Sequence, residues 1–258
     1  MCPYNSKMKT NSIIPILALS EYVALIEKDC SKAGRYLFRG QLKDDLLLPK
    51  FLRVDTVPKG RQSPIIEEKM FRDFKRRGRP FLKIEPQNEY EWLALAQHHG
   101  MATRLLDWTS SALAALWFIV TSKRNISNDG IIWILRFDER DIKYPKKEEL
   151  PYNIDETKIF CPTHIEDRFI AQGGWFTVHN YKRGVIRFDK EKNFKNKLQK
   201  IIIKRSKFNE IRFSLNQCGI NKLSLFPDFG GLCEHINWIN TRKYPGKIPG
   251  IPGTRTTT

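Results

Sequence analysis

The chain has 258 residues, 41% of them hydrophobic and 28% charged, enough to bury the core of one domain carrying extensions. Its 45 Lys and Arg against 28 Asp and Glu leave a formal charge of +17, more than solubility requires, which points to a polyanionic partner. The apolar run at 13–19 is broken by Pro15, falls far short of the ~20 residues of a membrane span and lacks the flanks of a secretory leader, so a cytoplasmic protein is expected.

Cys2, Cys30, Cys161, Cys218 and Cys233 are odd in number and never in C-x-x-C spacing, and His98, His99, His164, His179 and His235 show no ligand pattern. Reduced, mostly buried thiols and no metal site are expected.

In chain order, residues 14–27 fit a short amphipathic helix capped by Ser20, with Leu17, Tyr22, Leu25 and Ile26 apolar. Residues 35–41 read as a strand ending at Gly40, followed by a Leu-Leu-Leu-Pro turn. Residues 65–74 have helical spacing at Ile66, Met70, Phe71 and Phe74 and run into a basic cluster stopped by Gly78 and Pro80. Residues 89–99 form a helix with Trp92, Leu95, Ala96 and His99 on one face and Gly100 as its stop signal. The polar residues 107–111 read as caps for 112–120, a helix apolar all round and therefore buried. Residues 130–137 predict a core strand, and the charged, proline-punctuated stretch 138–162 a surface insertion.

Residues 168–171 and 175–179 read as two strands joined by Gln172-Gly173-Gly174. Residues 200–204 predict another strand, 206–215 a helix capped by Ser206, and 231–238 a last short helix. The Pro-Gly-Thr tail at 239–258 is expected to be disordered. Helices and strands alternate without a βαβ rhythm, so the expected class is α+β, a mixed or antiparallel central sheet flanked by helices. The division that follows is a helical extension over 1–32, a domain over 33–238 and the tail.

Three constellations carry the candidate chemistry. Arg39, beside Gly40 and Gln41 at a strand end, offers a guanidinium fork to a pyrophosphate or carboxylate; it serves equally to pair with a core carboxylate such as Asp107 and staple two elements. The stretch from Gln97 through His98, Arg104, Asp107, Thr109 and Ser110 sets many polar side chains between apolar segments, where each must find a partner or act. Glu166-Asp167-Arg168 leads into Gln172, able to orient a ligand amide or hydroxyl or to satisfy its own turn. G-x-G-x-x-G, Walker A, H-E-x-x-H and G-x-S-x-G are all missing, which sets aside their usual chemistries.

Basic blocks at Arg72, Lys75, Arg76, Arg77 and Arg79, at Lys182-Arg183, between 190 and 200, and at Lys204, Arg205 and Lys207 stand near Phe71, Phe74, Phe81, Phe194 and Phe208. Cations interleaved with aromatic faces suit a single-stranded nucleic acid. The competing reading is a solvated lysine face with the aromatics packed in the core.

Four segments in order, Tyr36-Leu37-Phe38-Arg39-Gly40-Gln41, Leu95-Ala96-Gln97-His98-His99-Gly100 with Thr103-Arg104-Leu105-Leu106-Asp107-Trp108-Thr109, Ala171-Gln172-Gly173-Gly174-Trp175-Phe176-Thr177, and Leu225-Phe226-Pro227-Asp228 with Gly231-Leu232 and Glu234-His235, resemble the FRG domain family across 33–238. A second, more distant resemblance is to ADP-ribosyltransferases, in which an early strand-end Arg or His, a Ser/Thr segment before a buried helix, and a later Glu build an NAD site. Arg39 is similar to the first piece, and Thr109-Ser110 before the helix at 112–120 to the second. Glu166 and Gln172 stand where the third is sought, with Asp107 or Glu234 as other carboxylates.

What the resemblance implies is an ADP-ribosyltransferase-like fold and an NAD-dependent transferase acting as a toxin or phage-defence effector on nucleic acid. Arg39, His98, Asp107, Glu166 and Gln172 would be catalytic. Arg39, Gly40, Gln41, Arg104, Thr109 and Ser110 would hold NAD, and an acidic antitoxin or regulator protein would be a partner. The alternatives are a non-catalytic nucleic-acid-binding module and a nucleotide- or RNA-directed hydrolase using His98 or His99 as acid/base.

Overall fold

The computed structural model describes residues 15–30, 34–42, 47–53, 63–122, 128–163, 167–181 and 186–241. In chain order these form α1 (Leu19–Cys30), β1 (Arg35–Gln41), α2 (Pro64–Gly78), α3 (Glu89–His98), β2 (Leu105–Thr109), α4 (Ala112–Val120), β3 (Gly130–Phe137), β4 (Lys158–Phe160), α5 (Asp167–Gln172), β5 (Gly174–Val178), β6 (Leu198–Ile203), α6 (Phe208–Gln217), α7 (Lys222–Leu225) and α8 (Phe229–Thr241). Glu166, Cys2, His164, Lys182-Arg183 and residues 242–258 lie outside the described residues.

The class is α+β, as expected: the six strands make one sheet in the order β4-β5-β2-β1-β3-β6, every neighbouring pair antiparallel, flanked by helices. Side chains alternate between its faces. On one face Phe38, Ile132, Ile134, Ile201 and Ile203 pack under α1, α4 and α6, while Leu105, Phe160, Phe176 and Val178 pack under α2, α3 and α5. Phe38 and Thr109 are a paired couple, so both clusters lie on the same side of the sheet. The opposite face holds Leu37, Leu106, Trp108, Trp133 and Leu135, covered by Leu47, Phe188 and Phe194.

Local chemistry explains most element starts. Asn88 caps α3 by accepting from the Tyr90 and Glu91 amides, and Ser111 caps α4 by accepting from Ala114. Pro64 stands in the first turn of α2, where its missing N–H costs nothing. The segment before β1 is tied to the core: Ile16 bridges to Ile203, and the buried Tyr22 donates its hydroxyl to the Ala112 carbonyl.

Several expectations are corrected. Residues 105–109 are not merely caps but a central strand; the polar Asp107 and Thr109 face a cavity, which hid the alternation. Residues 168–171 are helical, because α5 has Asp167 in its first turn and closes on Gly173, at φ +56°, whose amide bonds the Ile170 carbonyl. The stretch 138–162 is no simple surface insertion: it carries β4 and buries Tyr152, Ile154, Ile159 and Phe160. Ser20 lies inside α1, which runs on to Cys30, and Ser206 sits in the 3-10 turn Arg205–Lys207 ahead of α6 rather than capping it. Among the described residues Cys161, Cys218 and Cys233 are exposed thiols and Cys30 alone is partly buried. Among the described residues no helix is long and apolar enough to cross a membrane, and no three His, Cys, Asp or Glu are grouped to hold a metal.

Candidate functional site

β1 and β2 are central neighbours, yet their pairing is confined to Phe38 opposite Thr109, whereas β1 and β3 pair over seven positions. Beyond Phe38 the two strands part. A cavity of about 370 Å³ opens there, floored by the strands and walled by the C-terminal end of α3, by α4, by α5 and by Phe226 after α7. That volume lies within the range of small-molecule sites, roughly 300–1,000 Å³.

Arg39, Gly40, His98, Asp107, Thr109 and Gln172 all line this cavity. Asp107 is its one lining carboxylate among the described residues, with 61% of its side chain exposed. Gln97 Nε2 donates to Asp107 Oδ1 at 3.0 Å and to the Leu105 carbonyl at 3.2 Å, and Gln97 Oε1 accepts from the Thr103 hydroxyl. The carboxylate is thus oriented from α3. Arg39 Nη1 donates to the Asp107 main-chain carbonyl at 2.8 Å and lies 3.6 Å from Oδ2, so it bridges the separating strands while facing the cavity. Only 15% of its side chain is exposed, and its Nε has no hydrogen-bond partner. Burial pulls the guanidinium below its ordinary pKa and the Asp107 charge opposes this. Of the two roles left open for Arg39, the geometry supplies the staple between β1 and β2, by a side chain that also lines the cavity.

The remaining polar residues fix the walls. Thr109 Oγ1 donates to the Gln172 carbonyl and accepts from the Ser111 amide, so it joins β2, α4 and α5. Gln172 Nε2 donates to the Leu225 carbonyl at 3.0 Å. Arg168, also on α5, pairs with Asp228, and its guanidinium lies 5.1 Å from the centre of the Phe226 ring; its hydrogen bond holds the Asp228 carboxyl below the usual carboxylate range. Trp108 gives its indole N–H to Thr177 Oγ1 at 3.1 Å. The Thr177 hydroxyl in turn lies 2.9 Å from His179 Nε2, and His179 Nδ1 stands 3.4 Å from Glu191.

Other expected site residues stand elsewhere. Arg104 is 2% exposed and does not reach the cavity: its fork closes on Glu67 at 2.9 and 3.0 Å, between the rings of Tyr152 and Tyr181. A buried guanidinium needs that carboxylate, so a cofactor role gives way to a structural one. Ser110 is exposed at the edge, its amide bonded to the Gly173 carbonyl, and neither it nor Gln41 lines the cavity. Gly40 makes its close approach to protein, not to a ligand: a Cβ there would stand 2.3 Å from the Ala115 carbonyl oxygen. Of the basic residues, Lys75 is paired with Glu89 and Lys204 with Asp129, while Arg205 lies over the Phe208 ring. Those last two follow β6 at the far edge of the sheet from α2, so the basic blocks do not merge.

The sequence places Arg168 in a candidate constellation and Phe226 in a family segment without a site role for either, and gives no sign of Phe118; all three line the cavity. Arg168 precedes Gln172 by four residues, the spacing that puts both on one face of a helix, but only once the segment is read as a helix.

Residues 34–128 match the FRG domain family. Over that stretch the chain carries an FRG domain match, which takes in β1, α2, α3, β2 and the whole of α4; α5, β5 and Phe226, which close the cavity, lie beyond it. No curated protein and no solved structure matches the chain.

Proposed function

We propose that this FRG-domain chain binds a nucleotide of the NAD class in the β1–β2 cavity and transfers its ADP-ribose to an acceptor. The observation that carries the reading is the convergence of Arg39, His98, Asp107, Thr109 and Gln172 on one aromatic-walled cavity from four separate elements. NAD is the expected substrate from the resemblance to ADP-ribosyltransferases, whose fold this chain is proposed to share.

The chemistry fits the residues. The bond between ribose C1′ and the nicotinamide nitrogen breaks, its electron pair leaves with nicotinamide, and positive charge develops on the ribose. A carboxylate held in place beforehand stabilises that charge without reorganising, which is the role of Asp107 under the grip of Gln97 and Arg39. The acceptor then attacks C1′ and loses its proton, for which the His98 imidazole on the cavity wall is the candidate base. Gln172 carries no charge, and its amide is engaged with Leu225, so it positions rather than reacts.

Labelled NAD incubated with the full chain and single-stranded RNA or DNA tests this, with free nicotinamide and label transfer as the readouts. Asp107→Asn should lower turnover by about 100-fold or more while NAD affinity by calorimetry changes little. Wild-type protein that neither binds NAD nor releases nicotinamide would overturn the reading. NAD binding without turnover would reduce it to a nucleotide-binding module, favoured by the nearness of Arg39 to Asp107 Oδ2.

A further inference from the structure

We infer that the outer face of α2, continued through the 3-10 turn Arg79–Phe81, docks a single-stranded nucleic acid. Between Lys69 and Lys83 the chain has seven cations against the single acid Asp73. The helix buries Glu67 and Phe71, which turns Lys69, Arg72 and Arg76 outward at spacings of three and four residues, with Arg79 next in line. From Lys69 to Arg79 this ridge is about 15 Å long at 1.5 Å per helical residue.

Its charge is largely uncompensated. Arg72, Arg79 and Lys83 are exposed and make no hydrogen bond or ion pair with any described residue, and Arg76 meets only Asp73 on the open surface. Lys75 does not belong to the ridge, being turned to Glu89 and the Phe71 and Trp92 rings. Arginine forks suit phosphate oxygens better than lysine point charges do.

At the end of the ridge Phe81 is 86% exposed, with Ile84 exposed close behind. A bare aromatic ring next to a phosphate-binding row is what an unpaired base stacks on, and a duplex keeps its bases stacked internally. An anionic membrane fits less well. A membrane-surface helix must bury its apolar face in lipid, and Phe71 and Phe74 of α2 are already packed on Tyr152 and Trp92.

Naming this surface the dock of the acceptor rests on the cavity reading, but binding itself does not, so the test omits NAD. Fluorescence anisotropy of the full chain is read with labelled 12-nucleotide RNA and DNA single strands, with their duplexes, and beside vesicles of phosphatidylcholine and phosphatidylserine. Single strands should bind tighter than duplexes. Arg72→Gln/Arg76→Gln/Arg79→Gln, all exposed positions, should reduce the log–log salt slope by about 2, near 0.7 for each lost phosphate contact. Phe81→Ala should weaken single-strand binding by about fivefold or more with the slope unchanged. The absence of NAD from every arm keeps failure here distinct from failure of the cavity reading. Absence of binding at low salt, indifference to either variant, preference for duplex, or vesicle binding that the same substitutions abolish would each overturn the assignment.

Discussion

At the residue scale the most constrained charge is not in the cavity but behind it, in the Glu67–Arg104 pair. Arg104 gives its amide to Glu67 Oε1 at 2.6 Å and its fork to Oε2, and Glu67 also accepts from the Tyr181 hydroxyl. Burial, and then the Glu67 charge, raises the Tyr181 and Tyr152 phenols, so both stay neutral and offer their rings to the guanidinium. Removing one partner of such a pair strands the other charge in a low-dielectric interior. Glu67→Gln should therefore cost about 3–5 kcal/mol in urea unfolding. Glu67→Leu/Arg104→Met, which removes both charges at similar volume, should be less destabilised than either single change; a double variant as unstable as the two losses added together would mean that the pair contributes through packing alone. The same reasoning explains why Arg104, three residues before the cavity-lining Asp107, was legible as important but not as structural: only topology brings Glu67 to it from α2.

At the scale of elements, the cavity depends on α4 lying close against β1, and Gly40 is where it does. An alanine there would press its Cβ against the Ala115 carbonyl and the Ile119 side chain at 2.8 Å. A backbone oxygen cannot rotate aside, so Gly40→Ala should cost about 1–3 kcal/mol by overpacking, read as a lowered thermal midpoint. Loss of nucleotide binding at temperatures where the variant remains folded should accompany it, since Gly40 also lines the cavity. The elements readable in the sequence were those whose burial is uniform or regular, β1, β3, α3 and α4. β2 was not, because the face of a central strand that lines a cavity is polar like a surface face. α5, six residues long with Phe169 and Ile170 adjacent, carries too little periodicity to tell helix from strand. Most of the cavity's polar residues were legible as a group because their side chains cluster around Asp107, but its aromatic lining at Phe118 and Phe226 reads in sequence as ordinary core.

At the scale of the whole molecule, two electrostatic effects oppose each other. The excess of +17 repels itself in any compact shape, while Asp129, Asp138 and Asp228 sit among cations that hold their carboxyls below the usual range. For Asp138 the leading cause is the hydrogen bond from Arg140; for Asp129, burial resists the shift and the bonds from Lys204 and the Arg205 amide outweigh it. A carboxylate whose folded pKa is depressed contributes stability that is fully present above its unfolded pKa, near 4, and is lost as pH falls through the folded value. Stability should thus decline below about pH 4, steeply, because each protonation also adds to the positive excess. At neutral pH the paired acids are half-exposed, and pairs open to solvent are worth about 0–1 kcal/mol each, so the unpaired cations of the α2 ridge and their neighbours should dominate. Raising sodium chloride from 20 to about 500 mM shortens the screening length from roughly 20 Å to about 4 Å, which weakens repulsion spread over the surface more than contacts at 3 Å. The thermal midpoint at pH 7 should therefore rise with salt. It should rise less in Arg72→Gln/Arg76→Gln/Arg79→Gln, which lacks three of the ridge cations, and a midpoint that falls with salt would show that the ion pairs outweigh the excess.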